Sequence, residues 1–412
     1  MSITEPSPSE VVAEAGALPR DAGELSIRSG RGRAVIAGFS VAHFTHHVSN
    51  SLLNPLLPLI RDTFALSYAE AGIAVSAFSL SLGISNAPMG VLADRFGARV
   101  VLVAGLVLMG VASVALALAA AYWQLLVLLV AMGVISGTYH APAASLIART
   151  FNERVRGAAM GLHTTGGHMS FFAAPLVAGY VAAATGTWRA PYLLFAFAPI
   201  ASGIVLWLVA PRVRSRRASA GRFAAFRDIA AAGRRAGRVV AVSILFQVGF
   251  AAFLAFMALY LVDDRGVPPA IAAALFAVPQ LAGIFGAPLG GGLSDRLGRR
   301  AVIGMGLGVL GPAILVFTLV PTELVVVPLL VIGAAGAVRM TVTEVLVAES
   351  APPERRATVL GAYYLLSAEV GGLAAPALGV LAGIVGIGTA FGWVGIALTA
   401  LSLATVALAR KL

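Results

Sequence analysis

The chain has 412 residues, of which 59% are hydrophobic and 11% charged, and its formal net charge is +11. Soluble globular proteins run about 45–50% apolar and about 25% charged, so these charges are too few to cover a water-soluble fold of this size, and a soluble enzyme is excluded. Apolar runs of about twenty residues, without alternating ten-residue strands, indicate a multi-span helical membrane protein. The sequence has no Cys, which removes disulfides, thiolate metal sites and thiol catalysis.

In chain order, residues 1–33 are polar and lack the apolar core of a signal peptide, and they are expected to form a disordered cytoplasmic tail. Twelve apolar stretches follow, at 34–60, 68–93, 100–120, 122–148, 157–184, 190–210, 239–262, 269–293, 301–320, 323–348, 357–384 and 387–409. Each is near the ~20 residues that a helix needs to cross a bilayer; they are numbered spans 1 to 12. The segment 211–238 carries nine Arg and divides the spans six and six. The expected organisation is therefore the tail 1–33, a six-helix bundle 34–210, a basic cytoplasmic linker 211–238 and a second six-helix bundle 239–412. With the N-terminus inside, 25 basic residues fall in inner segments and only Arg61, Arg189 and Arg265 in outer loops; Arg339 lies within a span. This bias predicts that both termini are cytoplasmic, in a plasma (inner) membrane. The same bias accounts for the basic balance without nucleic acid as a partner.

An internal repeat is visible. The stretch Gly90-Val-Leu-Ala-Asp94-Arg95-Phe-Gly97-Ala-Arg99 recurs as Gly291-Gly-Leu-Ser-Asp295-Arg296-Leu-Gly298-Arg-Arg300, at an offset of 201 residues. The same offset carries Glu153-Arg154 onto Glu354-Arg355, Pro175 onto Pro376 and Asp62 onto Asp263. The chain thus reads as two six-helix halves in parallel orientation, a construction common in secondary transporters. Each motif copy follows the second span of its half. The first Gly (Gly90, Gly291) permits close helix approach. The Asp (Asp94, Asp295) can cap a helix or pair with an Arg. The second Gly (Gly97, Gly298) allows a tight turn. With Arg95, Arg99, Arg296 and Arg300, these residues are expected to form a latch favouring the state closed at the cytoplasmic ends.

The paired motif, the six-plus-six plan and the basic central loop resemble the major facilitator superfamily over residues 34–409. The first half further resembles the fosmidomycin-resistance type of efflux transporter. That similarity rests on His43-Phe-Thr-His46, Gly137-Thr-Tyr-His140-Ala-Pro142 and Gly166-Gly167 through Pro175. The chain departs from the pattern where His-Ala-Pro replaces His-Pro, and where Asn50 stands near the place of an acidic residue in span 1. The resemblance implies an all-α membrane protein with twelve transmembrane helices in two pseudo-symmetric bundles. It also implies alternating access and a substrate cavity between the halves, lined by spans 1, 4, 7 and 10.

All six His lie in predicted spans of the first half: His43, His46, His47, His140, His163 and His168. Polar groups at membrane depth normally face the bundle interior or a wet cavity. His43, His47, Asn50 and Asn54 step by 4, 3 and 4 residues and share one helix face, with His46 beside Asn50. The second half instead carries Gln247 in span 7, Arg339 and Glu344 in span 10 and Glu369 in span 11. Arg339 and Glu369 are both near mid-span and are expected to pair. Glu349 and Glu354 read as loop charges. The offset maps His168 onto Glu369, so both halves place a titratable group at one equivalent position. The candidate cavity residues are His43, His46, His47, Asn50, Asn54, His140, Gln247 and Arg339. The candidate proton-coupling residues are Glu369, His168, Arg339 and Glu344.

The expected function is proton-coupled efflux (antiport) of a small organic compound, with protons and the lipid bilayer as further partners and a monomeric chain. The alternative is proton-coupled uptake of a small organic anion, drawn by Arg339. The H-x-x-H-H box at His43 to His47 also matches di-iron membrane enzymes, but it lies mid-span and no second His pair of suitable spacing follows. No enzyme activity and no cofactor are therefore assigned. A metal-ion transporter is the weaker alternative: the His are suitable ligands, but no carboxylate stands beside them in spans 1, 4 and 5, and no metal site is assigned. No nucleotide-binding glycine loop is present.

Overall fold

The computed structural model describes residues 25–212, 222–350 and 356–408, with most side chains of 222–239 and 356–371 outside that description. Fourteen α-helices occur among the described residues. In the first half they are α1 (Gly30–Asn50), α2 (Leu53–Phe64), α3 (Tyr68–Phe96), α4 (Ala98–Ala117), α5 (Tyr122–Ser136), α6 (His140–Thr150), α7 (Glu153–Thr185) and α8 (Arg189–Val209). In the second half they are α9 (Arg222–Asp263), α10 (Pro269–Leu297), α11 (Arg299–Leu319), α12 (Val326–Glu349), α13 (Arg356–Val385) and α14 (Ile387–Leu408). Ten helical segments among the described residues are long and apolar enough to cross a membrane, counting α5 with α6 as one.

The two spans missing from that count have identifiable reasons. Span 1 is split into α1 and α2, and it is interrupted by His43, His46, His47, Asn50, Ser51 and Asn54. Pro55, in the first turn of α2, cannot donate a backbone hydrogen bond back to Ser51, so the helix breaks there. Span 11 lies in α13, of which Gly372–Val385 forms a shorter apolar helix.

Helix ends follow local chemistry. Ser29 caps α1 by accepting from the Gly32 amide, and Ser67 with Glu70 forms a capping box on α3. Gly97 and Gly298, the second glycines of the two motif copies, have φ of 96° and 87° and sit between α3 and α4 and between α10 and α11. Only glycine adopts this conformation without strain.

Two boundaries differ from the sequence expectation. The end of the tail is ordered: Leu25 bridges to Phe151 through hydrogen bonds of 3.2 Å to Thr150 and Asn152. Leu25 and Ile27 pack on an apolar cluster that draws them out of solvent. In the basic linker, the part from Arg222 onward is already helical and runs without interruption into span 7.

The halves pack by the same plan. α1 lies on α7, α3 on α5 and α4 on α8; in the second half α9 lies on α13, α10 on α12 and α11 on α14. Each pair maps onto its counterpart when six spans are added. Across the halves, α3 packs on α13 and α7 on α10, again a symmetric set.

The halves meet on the Arg-poor side. Gly72 faces the backbone of Ala375 and Pro376, Gly379 faces that of Tyr68 and Ala69, and Gly179 faces Ala270. The Ser76 hydroxyl donates to the Gly372 carbonyl. Arg61 reaches Asp263 at 2.5 Å, and Tyr68 donates to the same carboxylate at 2.8 Å. One apolar cluster there joins residues of both halves, among them Leu56, Leu57, Ala178, Phe253, Tyr260 and Leu378. Toward the Arg-rich side the core divides. Val35, Phe39, Leu102, Leu146 and Phe151 form a cluster within the first half, and Val347, Val359 and Tyr363 form one within the second. Among the described residues, the apolar core joins the halves on the Arg-poor side and is divided between them on the other.

Candidate functional site

The histidines come together because spans 1 and 4 both break. Span 4 stops at Ser136 and resumes at His140, with Gly137-Thr138-Tyr139 between. Pro142 lacks the amide that would bond back to Thr138, so the helix cannot run through this point. The restart places His140 beside α1. Ring centroids there are close: His43–His47 4.7 Å, His43–His140 5.5 Å, His46–His140 5.3 Å and His47–His140 5.2 Å. His163 of α7 stacks on His43 at 4.1 Å, and Tyr139 stacks on His46 at 4.4 Å. α7 can come this near because residue 167 is glycine; a Cβ there would lie 2.5 Å from the His43 ring.

Hydrogen bonds fix the rings. His43 Nδ1 donates to the His163 carbonyl at 2.8 Å, and His163 Nδ1 donates to the Phe39 carbonyl at 3.2 Å. The Asn50 amide donates to Ser136 Oγ at 2.7 Å and to His46 Nε2 at 3.2 Å. Asn50 therefore acts with His46 and α5, whereas His43 and His47 face His140. Asn54 lies in α2, beyond the break. His168 is exposed and stands outside the ring stack. His163 is the member that the site reading from sequence left out; its position one turn before the Gly166-Gly167 pair was not enough to mark it.

In the second half the polar centre is Arg339, 1% exposed. Its guanidinium donates to the Ser243 carbonyl at 3.1 Å and to Gln247 Oε1 at 2.5 Å, both on α9. Tyr363 of α13 also bonds it, and Glu344 acts on it electrostatically. The expected partner Glu369 lies in α13, but its side chain is outside the described residues. Under the 201-residue offset Gln247 is the counterpart of His46. Equivalent places in spans 1 and 7 thus hold the polar side chain that bonds its neighbouring element.

The two motif copies hold different partners. Gly90 and Asp94 line a cavity of about 150 Å³ with Ala141, Pro142, Ser145 and Arg149 of α6. Arg99 donates to the Trp207 carbonyl and lies 4.3 Å over its ring, fastening α4 to α8. Arg95 lies over Phe96 at 5.3 Å. In the second copy Asp295 pairs with Arg299 at 2.5 Å, and Arg299 also reaches Glu349 at 2.9 Å. Glu349, read from sequence as a loop charge, is thus the α12 end of this network. Arg296 and Arg300 are exposed beside it.

The Major Facilitator Superfamily model matches residues 39–376 and 239–411. The chain is 26% identical over 367 residues to the fosmidomycin resistance protein of Escherichia coli (strain K12), covering 84% of this chain and 86% of that one. It is 24% identical over 277 residues to the hexuronate transporter of Bacillus subtilis (strain 168), spanning 65% of that relative's length. Among solved structures it resembles a bacterial homologue of the human lysosomal transporter Spinster in an inward-facing, occupied conformation. That likeness has a TM-score of 0.79 at 18% identity, over 93% of this chain and 97% of the other. The two matched six-span packings and the repeated loop motif accompany this match, and the chain belongs to the major facilitator superfamily.

Proposed function

We propose that this protein is a proton-coupled antiporter that exports a small organic compound by alternating access of residues 34–210 against residues 239–412. The observation that carries this reading is the fully buried Arg339, held by α9 and α13. A charge at membrane depth costs about 2.5–3.5 kcal/mol on insertion scales, and the surrounding apolar packing does not require it. It stands in the half that lacks His, opposite a half whose polar centre consists of neutral-capable imidazoles. The candidate cavity residues are His43, His46, His47, Asn50, Asn54, His140, Gln247 and Arg339. Glu369 is the proposed coupling group: burial favours its neutral form and a nearby cation its charged form, so alternating access would switch its proton occupancy. His168, Arg339 and Glu344 assist.

The Arg-rich side is taken as cytoplasmic, in a plasma (inner) membrane, with both termini on that side and the chain acting as a monomer. In that orientation the closed side is the outer one. The similarity to the fosmidomycin resistance protein and to multidrug resistance proteins named MdtG supports export. Uptake of a small organic anion is the second reading. It is favoured by the Arg339 Nε, which is buried without a hydrogen-bond partner among the described residues, and by similarity to hexuronate and probable sulfoacetate transporters.

The test is transport into proteoliposomes with an imposed pH gradient, using fosmidomycin, lipophilic cations and hexuronates as the panel. Proton movement opposite to the substrate supports antiport, and movement with it supports symport. Transport indifferent to the gradient overturns both. In Glu369→Gln, gradient-driven accumulation should be abolished while gradient-free exchange persists. If that variant still concentrates substrate, the coupling group lies elsewhere.

A further inference from the structure

The histidine cluster has a feature that proton coupling does not use. Among the described residues, His43 Nε2 and His47 Nδ1 are both buried without a hydrogen-bond partner. An unmet buried polar atom costs about 1–3 kcal/mol, and native folds rarely leave two side by side. His43 and His47 are one helical turn apart on α1, and His140 is brought to them by the break in span 4. One ring nitrogen from each of these three lies within 4.8 Å of the other two. We propose that His43, His47 and His140 form a three-imidazole binding site for a divalent transition-metal cation of the zinc, nickel or cobalt kind.

The tautomer of His43 is already set for this role. Its Nδ1 proton is committed to the His163 carbonyl at 2.8 Å, which leaves the lone pair on Nε2. Metal-bound imidazoles are oriented in this way by a carbonyl or carboxylate on the other nitrogen. His163 adds a stacked ring at 4.1 Å that holds the plane of His43, and it is itself held by the Phe39 carbonyl. Metal–nitrogen bonds of about 2.1 Å place tetrahedral ligand atoms about 3.4 Å apart. Shifts of about an ångström therefore close the three rings on an ion.

The donor set selects the ion. Three imidazoles without a carboxylate suit zinc, nickel, cobalt or copper and give magnesium, calcium and manganese no hold. Neutral ligands leave the ion's charge uncompensated, so the fourth position favours water or an anionic group of a transported compound. His46 is not the fourth ligand, because its Nε2 is engaged by Asn50. The inference stands apart from proton coupling: it is measured without a membrane or a gradient.

The experiment uses full-length protein without a polyhistidine tag, stripped with chelator, in detergent. It is titrated with Co²⁺ and then with Zn²⁺. One Co²⁺ per chain should bind with the intense visible bands of a tetrahedral nitrogen-ligated ion, and Zn²⁺ should remove them. His47→Gln and His140→Gln should each weaken binding at least tenfold, while Thr165→Val, at an exposed position of α7, binds as the parent does. If a variant does not fold, the spectrum of the parent decides alone. Absence of saturable binding, a purely octahedral spectrum, or parent-like affinity in both triad variants overturns the proposal.

Discussion

The two halves share a packing plan but bury polarity by different means. The first interrupts spans 1 and 4 and gathers imidazoles at the breaks, whereas the second keeps α9 and α12 continuous and buries one guanidinium. The side-chain chemistry explains why each is stable. An imidazole can be neutral, so His43 and His163 each place their one proton on a carbonyl and can stack on one another. A guanidinium is always charged and offers five donors. It demands several acceptors, and Arg339 finds them on two neighbouring helices, with its Nε unpartnered among the described residues. One topology thus holds in its first half polar groups that can be neutral and in its second half one that cannot.

The sharpest way to break this comparison is to remove the fixed charge. Arg339→Ala should lower substrate affinity about tenfold or more, since hydrogen bonds to charged groups are worth about 1.5–3 kcal/mol. Arg339→Lys should not restore it, because a single ammonium cannot reproduce the fork to Ser243 and Gln247. Equilibrium binding in detergent checks both; unchanged affinity in the Ala variant would place the substrate elsewhere.

The first half is tested by volume instead. Gly167→Ala would set a methyl 2.5 Å from the His43 ring, whereas Gly161→Ala meets nothing within 4 Å. Overpacking of this kind costs about 1–3 kcal/mol. Thermal unfolding in detergent should show a clear drop for the former and none for the latter.

The seam between the halves comes next in size. Gly379→Val meets the Tyr68 carbonyl and should bias the protein away from the state closed on the Arg-poor side. The chain has no Cys, so Ser76→Cys, at a position 6% exposed, supplies a single reporter. Labelling of this cysteine by a membrane-impermeant maleimide should rise when Gly379→Val is added. The smallest effect separates the two motif copies. Asp295→Asn leaves Arg299 paired with Glu349, and an exposed ion pair is worth about 0–1 kcal/mol. Asp94→Asn, in the recess with Arg149, should slow transport more than Asp295→Asn; equal rates would remove the distinction between copies.

The large-scale plan was legible because its signals are long and repeated. Twenty-residue apolar runs, the Arg bias and the 201-residue offset each average over many positions. The site was legible only as a set of residue types. The 4-3-4 spacing of His43, His47, Asn50 and Asn54 assumes one straight helix, and the break before Leu53 separates Asn54 from the rest. Pro55 and Pro142 were in view, but a proline alone does not say whether a span kinks or restarts. The stack of His163 on His43 depends on Gly167 and on the approach of α7, neither of which periodicity encodes. Arg339 was recognisable as a buried charge; its described acceptors, Ser243 and Gln247, are neutral, and opposite-charge matching does not find neutral groups.

The unbroken α9 has a mechanical consequence. It runs 42 residues, about 63 Å at 1.5 Å per residue, while its apolar crossing segment is Val240–Asp263. The residues before it form a rod about 27 Å long beyond the bilayer. A tilt of span 7 by about 10° swings the free end of that rod by about 5 Å. Under the proposed alternating access, such a tilt would be read outside the membrane by a dye attached to the residues before Val240, without entering the cavity.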